Sequence, residues 1–157
     1  MSRKKIQSTE NVTTGATVRV PWSVIDSQAF TGASFSAKAL LIDLVRQSNG
    51  FNNGRMQACY AWLNQRGWSS KATIWKAAAE LTERGLIVRT RQGGLKAGAS
   101  WYACTWLDIA DFKGLDITRQ QYHSGAWRLL DKPPTIGDGL VLKSGARNPL
   151  PTQKMGR

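Results

Sequence analysis

Basic residues are concentrated in the middle of this 157-residue chain. Residues 55–98 contain eight lysines and arginines against two acids, whereas residues 22–54 are neutral and residues 99–131 carry one net negative charge. The whole chain has 22 basic and 10 acidic residues, a formal charge of +12. Neutralising phosphates releases condensed counterions, so such a block favours a polyanionic partner. A basic surface that only confers solubility is the competing interpretation, and charge alone leaves both open.

The segment from Ser69 to Lys76 combines hydroxyl groups with cations. Over 70–84 the apolar residues recur at helical spacing, which predicts a helix with one buried stripe made of Ile74, Ala77, Ala78 and Leu81. Ser70 can cap this helix, and free N–H groups and the helix dipole favour anions at its start. Lys76 is expected to reach a backbone phosphate or a guanine edge. The other side chains expected in the exposed first turn are Ser69, Lys71 and Thr73.

Arg89 and Arg91 follow in a segment where the apolar period changes to two, which predicts a strand over 86–91. Because they are two residues apart, the two arginines are expected on one face of that strand. Gln92 and Lys96 belong to a glycine-rich tip that follows. Arginines are attracted to the negative potential of a narrow groove. The alternative is a solvated edge strand, where basic residues discourage aggregation.

The elements that must position these segments come in a definite order. Those expected first are a helix from Ser34 or Ser36 to about Gln47, a very short strand over 55–57 and a helix over 58–65. The first of these helices is expected to bury one apolar stripe, made of Ala37, Leu40, Leu41, Leu44 and Val45. Gly67 suits the left-handed conformation that often follows a helix end. The helix over 70–84, the strand over 86–91 and a returning strand over 100–106 complete the order. A short helix after Pro21 is expected to pack Trp22, Ile25 and Phe30 on this body.

The third helix and the strand after it resemble a known family. Residues 70–81 (SKATIWKAAAEL) and 83–87 (ERGLI) resemble the recognition helix of bacterial winged-helix regulators of the GntR- and MarR-like groups. The resemblance covers about half the chain and is weaker over the first two helices. Residues 67–71 (GWSSK) and 102–106 (YACTW) are also similar to small helix-turn-helix proteins of plasmids and phages. The resemblance implies an α+β winged helix-turn-helix, with a three-helix core and a wing hairpin of two to three strands, whose third helix enters the major groove of DNA.

Trp75 departs from the family pattern, since related regulators often have an arginine or another polar residue there. Tryptophan has one donor and no acceptor, so it suits thymine-methyl contact or stacking better than bidentate base recognition. It could equally pack against the N-terminal helix, or anchor a protein partner, because tryptophan is enriched at interface hot spots. The other tryptophans expected in the core or between layers are Trp22, Trp62, Trp101, Trp106 and Trp127.

Patterns typical of catalysis and metal binding are missing from the sequence. His123 is the only histidine, and there is no glycine-rich phosphate loop, nucleophile elbow or zinc spacing. Cys59 and Cys104 have no neighbour at metal-ligand spacing. The start lacks a secretory signal, and no apolar run reaches the length of a membrane span. We therefore expect a cytoplasmic protein that is not an enzyme, with no cofactor, no metal and no membrane contact.

Composition divides the chain into four parts. They are a flexible basic arm (1–17), a winged-helix domain with a short N-terminal helix (18–110), an extension packing on the domain or a partner (111–131) and a flexible Pro/Gly-rich basic tail (132–157). The expected function is binding of double-stranded DNA, as a transcriptional regulator or a replication or maintenance accessory factor of a bacterial mobile element. Homodimers are common among such regulators.

Two other functions remain open at this point. One is a winged-helix scaffold that binds a host protein complex, and the other is binding of single strands or RNA. The candidate nucleic-acid-binding residues are Arg55, Ser69, Ser70, Lys71, Thr73, Trp75, Lys76, Arg89, Arg91, Gln92 and Lys96.

Overall fold

The computed structural model describes residues 17–131. The predicted basic tail (132–157) lies outside the described residues, and so does the predicted basic arm (1–17) except for residue 17. The helices are α1 (Trp22–Ile25), α2 (Gln28–Thr31), α3 (Phe35–Arg46), α4 (Tyr60–Asn64), α5 (Lys71–Glu83) and a 3-10 helix (Ala126–Leu130); the strands are β1 (Met56–Gln57), β2 (Ile87–Arg91) and β3 (Trp101–Cys104). The predicted α+β class is confirmed, and the elements from α3 to β3 follow the predicted order.

The two long helices, α3 and α5, pack against each other and supply much of the core. Each begins at a serine whose Oγ accepts a backbone hydrogen bond: Ser34 from the N–H of Ala37 and Ser70 from the N–H of Thr73. The predicted apolar stripes of both helices are buried. The helix starts and the faces turned to the core were therefore correctly predicted from period and capping.

The three strands form an antiparallel sheet in the order β1-β3-β2, with β3 in the centre. The register shifts between Arg89, which lies opposite Tyr102, and Arg91, which lies opposite Trp101. Because consecutive residues of β3 point to opposite faces of the sheet, the two arginines do so as well. The prediction that they share one face is wrong. The reason is a bulge at Thr90, which is buried and whose hydroxyl donates to the carbonyl of Gly54.

The chain after β3 returns along the sheet. The N–H of Asp116 donates to the carbonyl of Thr90 (2.7 Å), and its carboxylate accepts from the N–H of Gln92 (2.7 Å). Tyr122 donates its hydroxyl hydrogen bond to the carbonyl of Cys104 (2.9 Å). On the far side of the domain, the carboxylate of Asp131 accepts from the N–H of Gln28 at the start of α2 (2.8 Å). Residues 111–131 thus make hydrogen bonds to both the sheet and the N-terminal helices.

Asn53 fixes the junction between β1 and β3 from a buried position. Its Oδ1 accepts from the N–H of Cys104 (2.8 Å), and its Nδ2 donates to the carbonyls of Cys104 (3.0 Å) and Leu107 (2.8 Å). The side chain therefore gives the N–H of Cys104 its partner and adds a second donor to two carbonyls that Tyr122 also contacts.

The N-terminal segment forms two short helices instead of the single one predicted. Ser27 separates them, because its Oγ accepts from the N–H of Phe30 and so caps α2. Trp22 is 84% exposed, so the prediction that it packs on the body is wrong. In α1 the buried residue is Val24, and two helical positions turn the chain by about 200°, which directs Trp22 to solvent.

The remaining tryptophans predicted for the core divide by exposure. Trp127 is buried, and Trp62 and Trp106 are half-buried against the core. Trp101 is half-buried as well. Among the helices of residues 17–131, none has both the length and the apolar character needed to cross a bilayer.

Candidate nucleic-acid interface

The turn that precedes α5 is anchored to α3 by Asp43. This nearly buried carboxylate accepts a hydrogen bond from Arg66 Nε (2.6 Å) and one from Trp68 Nε1 (2.8 Å). Gly67, between the two donors, has a φ of +97°, as predicted for a glycine after a helix end. The direction in which α5 leaves this turn is therefore set by a charged contact with the core helix.

Residues of α4 hold the same turn from the other side. Asn64 Nδ2 donates to the carbonyl of Trp68 (2.9 Å), and the hydroxyl of Tyr60 donates to the carbonyl of Ser69 (3.2 Å). The ammonium group of Lys71 lies 5.2 Å from the centroid of the Tyr60 ring, within cation–π range. These contacts order the first turn of α5, where four of the predicted site residues lie.

Glu80 sets how α5 sits against the start of α3. Its carboxylate accepts from the N–H of Ser34 (2.8 Å), from Ser34 Oγ (2.6 Å) and from Arg84 Nε (3.2 Å). The hydrogen bonds from Ser34, followed by the hydrogen bond and charge of Arg84, hold the pKa of Glu80 below its ordinary value. Glu80 is therefore ionised at neutral pH, and its carboxylate is already bonded to Ser34 and Arg84 of the same chain.

The outward face of α5 presents the predicted residues to solvent. Lys71, Thr73, Trp75 and Lys76 are all exposed, and the indole of Trp75 is 71% exposed. The interpretation of Trp75 as a packing residue is therefore wrong. Its neighbours in the buried stripe point the other way, so Trp75 and the two lysines share one accessible surface.

The β2–β3 hairpin carries the second group of predicted residues. Arg89 and Lys96 are exposed, and the guanidinium of Arg91 lies 4.5 Å from the centroid of the Trp101 ring. The N–H of Gln92 is held by Asp116, which leaves its exposed side chain at the base of the tip. The tip itself is closed by a hydrogen bond from the N–H of Gly94 to the carbonyl of Gly98 (3.0 Å).

Arg55 is engaged with the C-terminal segment. Its Nη2 donates to Asp111 Oδ2 (2.9 Å) and to the carbonyl of Lys113 (3.1 Å). Its guanidinium also lies 6.0 Å from the centroid of Trp101, beside Arg91. The structure therefore brings Arg55 close to the hairpin, but its guanidinium is already paired with the carboxylate of Asp111.

Cations in residues 17–131 differ in whether they form a salt bridge. Three arginines form salt bridges with carboxylates, namely Arg55 with Asp111, Arg66 with Asp43 and Arg84 with Glu80. Of the cations that form no salt bridge with a described residue, five lie on α5 or the hairpin: Lys71, Lys76, Arg89, Arg91 and Lys96. The others are spread over the rest of the described chain: Arg19, Lys38, Arg46, Lys113, Arg119 and Arg128. The five side chains on α5 and the hairpin are called here the basic face, although Arg89 and Arg91 point to opposite sides of the hairpin. No described carboxylate forms a salt bridge with them.

A shallow groove beside the basic face was not predicted. It has a volume of about 350 Å³ and runs between the first turns of α3 and α5, with Phe35, Ala39, Trp68 and Thr73 among its lining residues. The ring of Phe35 is 90% exposed. The one sequence feature that could have indicated the exposure of Phe35 is its position, which is out of phase with the buried stripe of α3.

Residues 17–131 contain no group of three or more His, Cys, Asp or Glu side chains placed to hold a metal ion. Burial raises the pKa of the Cys104 thiol to about 12, so this thiol stays protonated at neutral pH. Comparison with family models, curated proteins and solved structures finds no match for this chain.

Proposed function

We propose that this protein binds double-stranded DNA through the basic face, with α5 in the major groove and the β2–β3 hairpin on the flanking backbone. The observation that carries the proposal is that five cations without a salt bridge to a described residue lie on α5 and the β2–β3 hairpin. Unpaired surface cations are the groups that neutralise phosphates and release counterions.

The architecture supports a winged helix as the finer description of the fold. Helices α3, α4 and α5 would be the three-helix core and the β2–β3 hairpin the wing, with β1 completing a sheet of order β1-β3-β2. At 13 residues, α5 is about 20 Å long, and its exposed side fits a major groove about 12 Å wide. Lys71 and Lys76 would contact phosphates on either side of that groove.

Within this proposal the protein acts in the bacterial cytoplasm, as a transcriptional regulator or as a replication or maintenance factor of a mobile element. The segments outside 17–131 add charge of the same sign, since residues 132–157 contain five basic residues and one acid. They would strengthen binding without regard to sequence.

A pair of charge-matched variants tests the proposal. Lys71→Ala/Lys76→Ala removes two cations from the basic face, whereas Lys113→Ala/Arg119→Ala removes two exposed cations from the C-terminal segment. Duplex affinity of the full chain is measured by fluorescence anisotropy over a range of salt concentrations. The α5 variant should bind more weakly and lower the salt slope by about 2, one for each lost phosphate contact. Equal effects of the two variants would place the binding surface elsewhere.

A protein partner is the second candidate, favoured by exposed aromatic side chains that do not belong to α5. Trp22, Phe35 and Phe51 are all strongly exposed. Such side chains are typical anchors of protein interfaces. Capture of a bacterial complex that survives nuclease and high salt, by a chain that shows no affinity for duplex DNA, would favour this function over the first.

A further inference from the structure

The exposed residues of α5 are poorly suited to read base edges by paired hydrogen bonds. From Lys71 to Ala79 they are two lysines, a threonine, two alanines and Trp75. Bidentate recognition of adenine needs asparagine or glutamine, and neither is present in α5. Guanine could be contacted only by a lysine, and Lys71 is already drawn toward the ring of Tyr60. Hydrogen-bonded recognition of sequence by this helix is therefore weak.

Trp75 offers a different kind of contact. Its largely exposed indole is the one large apolar surface among the exposed residues from Lys71 to Ala79, which are otherwise lysines, a threonine and alanines. Viewed down α5, Trp75 projects between the two lysines, about 40° from Lys71 and about 100° from Lys76. If the lysines hold phosphates, the indole faces the floor of the groove. The apolar group found there is the C5-methyl group of thymine.

We infer that Trp75 recognises thymine methyl groups in the major groove, and that the protein prefers duplexes rich in A·T pairs. This inference rests on the proposed function and names the class of duplex that the basic face selects. The hairpin supports the same preference, because Arg89 and Lys96 are free to enter the narrow minor groove of A-tracts. An alternative occupant, a protein, is one outcome of the test below.

The size of the effect follows from the area of a methyl group. Burying one carbon of this kind changes affinity about fourfold, equivalent to about 0.8 kcal/mol. One indole can cover two neighbouring thymines, so the full effect is about fifteenfold. Replacing Trp75 with alanine should remove it while leaving the charge, and hence the salt slope, unchanged.

The experiment compares duplexes that differ only in this methyl group. An A·T-rich duplex is made with thymine or with deoxyuridine, which pairs identically but lacks the C5-methyl. A G·C-rich duplex is made with cytosine or 5-methylcytosine, which places a methyl at the same position in the groove. Binding is measured for the full chain, for Trp75→Ala and for Trp22→Ala. Trp22 serves as control because it is also largely exposed but lies on α1.

The wild type and Trp22→Ala should bind the thymine duplex four- to fifteenfold more tightly than the deoxyuridine duplex, and should gain affinity from 5-methylcytosine. Trp75→Ala should bind both members of each pair alike. Equal binding of thymine and deoxyuridine duplexes by the wild type would overturn the inference and leave DNA binding intact. A preference for single strands would overturn it as well. Failure to bind any duplex would instead refute the proposed function and leave a protein as the partner of Trp75.

Discussion

Replacing Glu80 with glutamine should destabilise the fold by about 2 kcal/mol at neutral pH. Glu80 accepts two hydrogen bonds from Ser34, at 2.8 and 2.6 Å, and one from Arg84 at 3.2 Å. A glutamine retains one acceptor oxygen and no charge, so it loses at least one of the Ser34 bonds and the ion pair. A hydrogen bond to a charged group contributes about 1.5–3 kcal/mol. Because 28% of the Glu80 side chain is exposed to water, we expect the total loss to lie within that range and not above it.

The pH dependence of this loss has a definite sign. Because the pKa of Glu80 is lowered from 4.5 in the folded state, the ionised carboxylate binds the fold more tightly than the protonated one. Its contribution is fully present above the unfolded-state pKa and is lost as the pH falls through the folded-state pKa. The stability difference between wild type and Glu80→Gln should therefore be constant near neutrality and shrink in acid.

Urea unfolding followed by circular dichroism measures both effects, at neutral pH and at a pH below the folded-state value. Glu83→Gln is the control, since it removes the same charge from an exposed residue of the same helix. The reasoning is refuted if Glu80→Gln is as stable as wild type at neutral pH, or if its deficit is unchanged in acid.

Three further predictions concern the parts of the fold that position the basic face. Asp43→Asn should cost about 1–3 kcal/mol in urea unfolding, and should weaken duplex binding because the turn before α5 loosens; unchanged affinity would contradict that link. Asn53→Ala should cost about 1–3 kcal/mol and lower the thermal midpoint, because the buried N–H of Cys104 loses its partner. Gly85→Ala should destabilise more than Gly67→Ala in the same assay. Both glycines have positive φ, but only at Gly85 would the new Cβ lie 2.8 Å from the carbonyl of Ala126, so equal losses would argue against this contact.

The features that were correctly predicted from the sequence depend on residues that are close to one another in the chain. The caps Ser34 and Ser70 and the buried stripes of α3 and α5 follow from residues within a few turns of one another, and the structure has them as predicted. The exposure of Lys71 and Lys76 follows from the same period. These features can be predicted without knowing which distant residues come into contact.

What the sequence could not predict depends on distant partners. The bulge that separates Arg89 from Arg91 involves Thr90 and Gly54, which are 36 residues apart. Arg55 is paired with Asp111, 56 residues away, and so differs from the other predicted cations in a way that spacing does not reveal. The four-residue helix α1 is too short for a period to show which side faces the core.

The most direct test of the central claim is the salt dependence of affinity between the full-length chain and a mixed-sequence DNA duplex. Five unpaired cations on the basic face predict a slope of log affinity against log salt of about −4 to −5, made steeper by charges outside the described residues. A slope near zero, or no binding at low salt, would contradict the account.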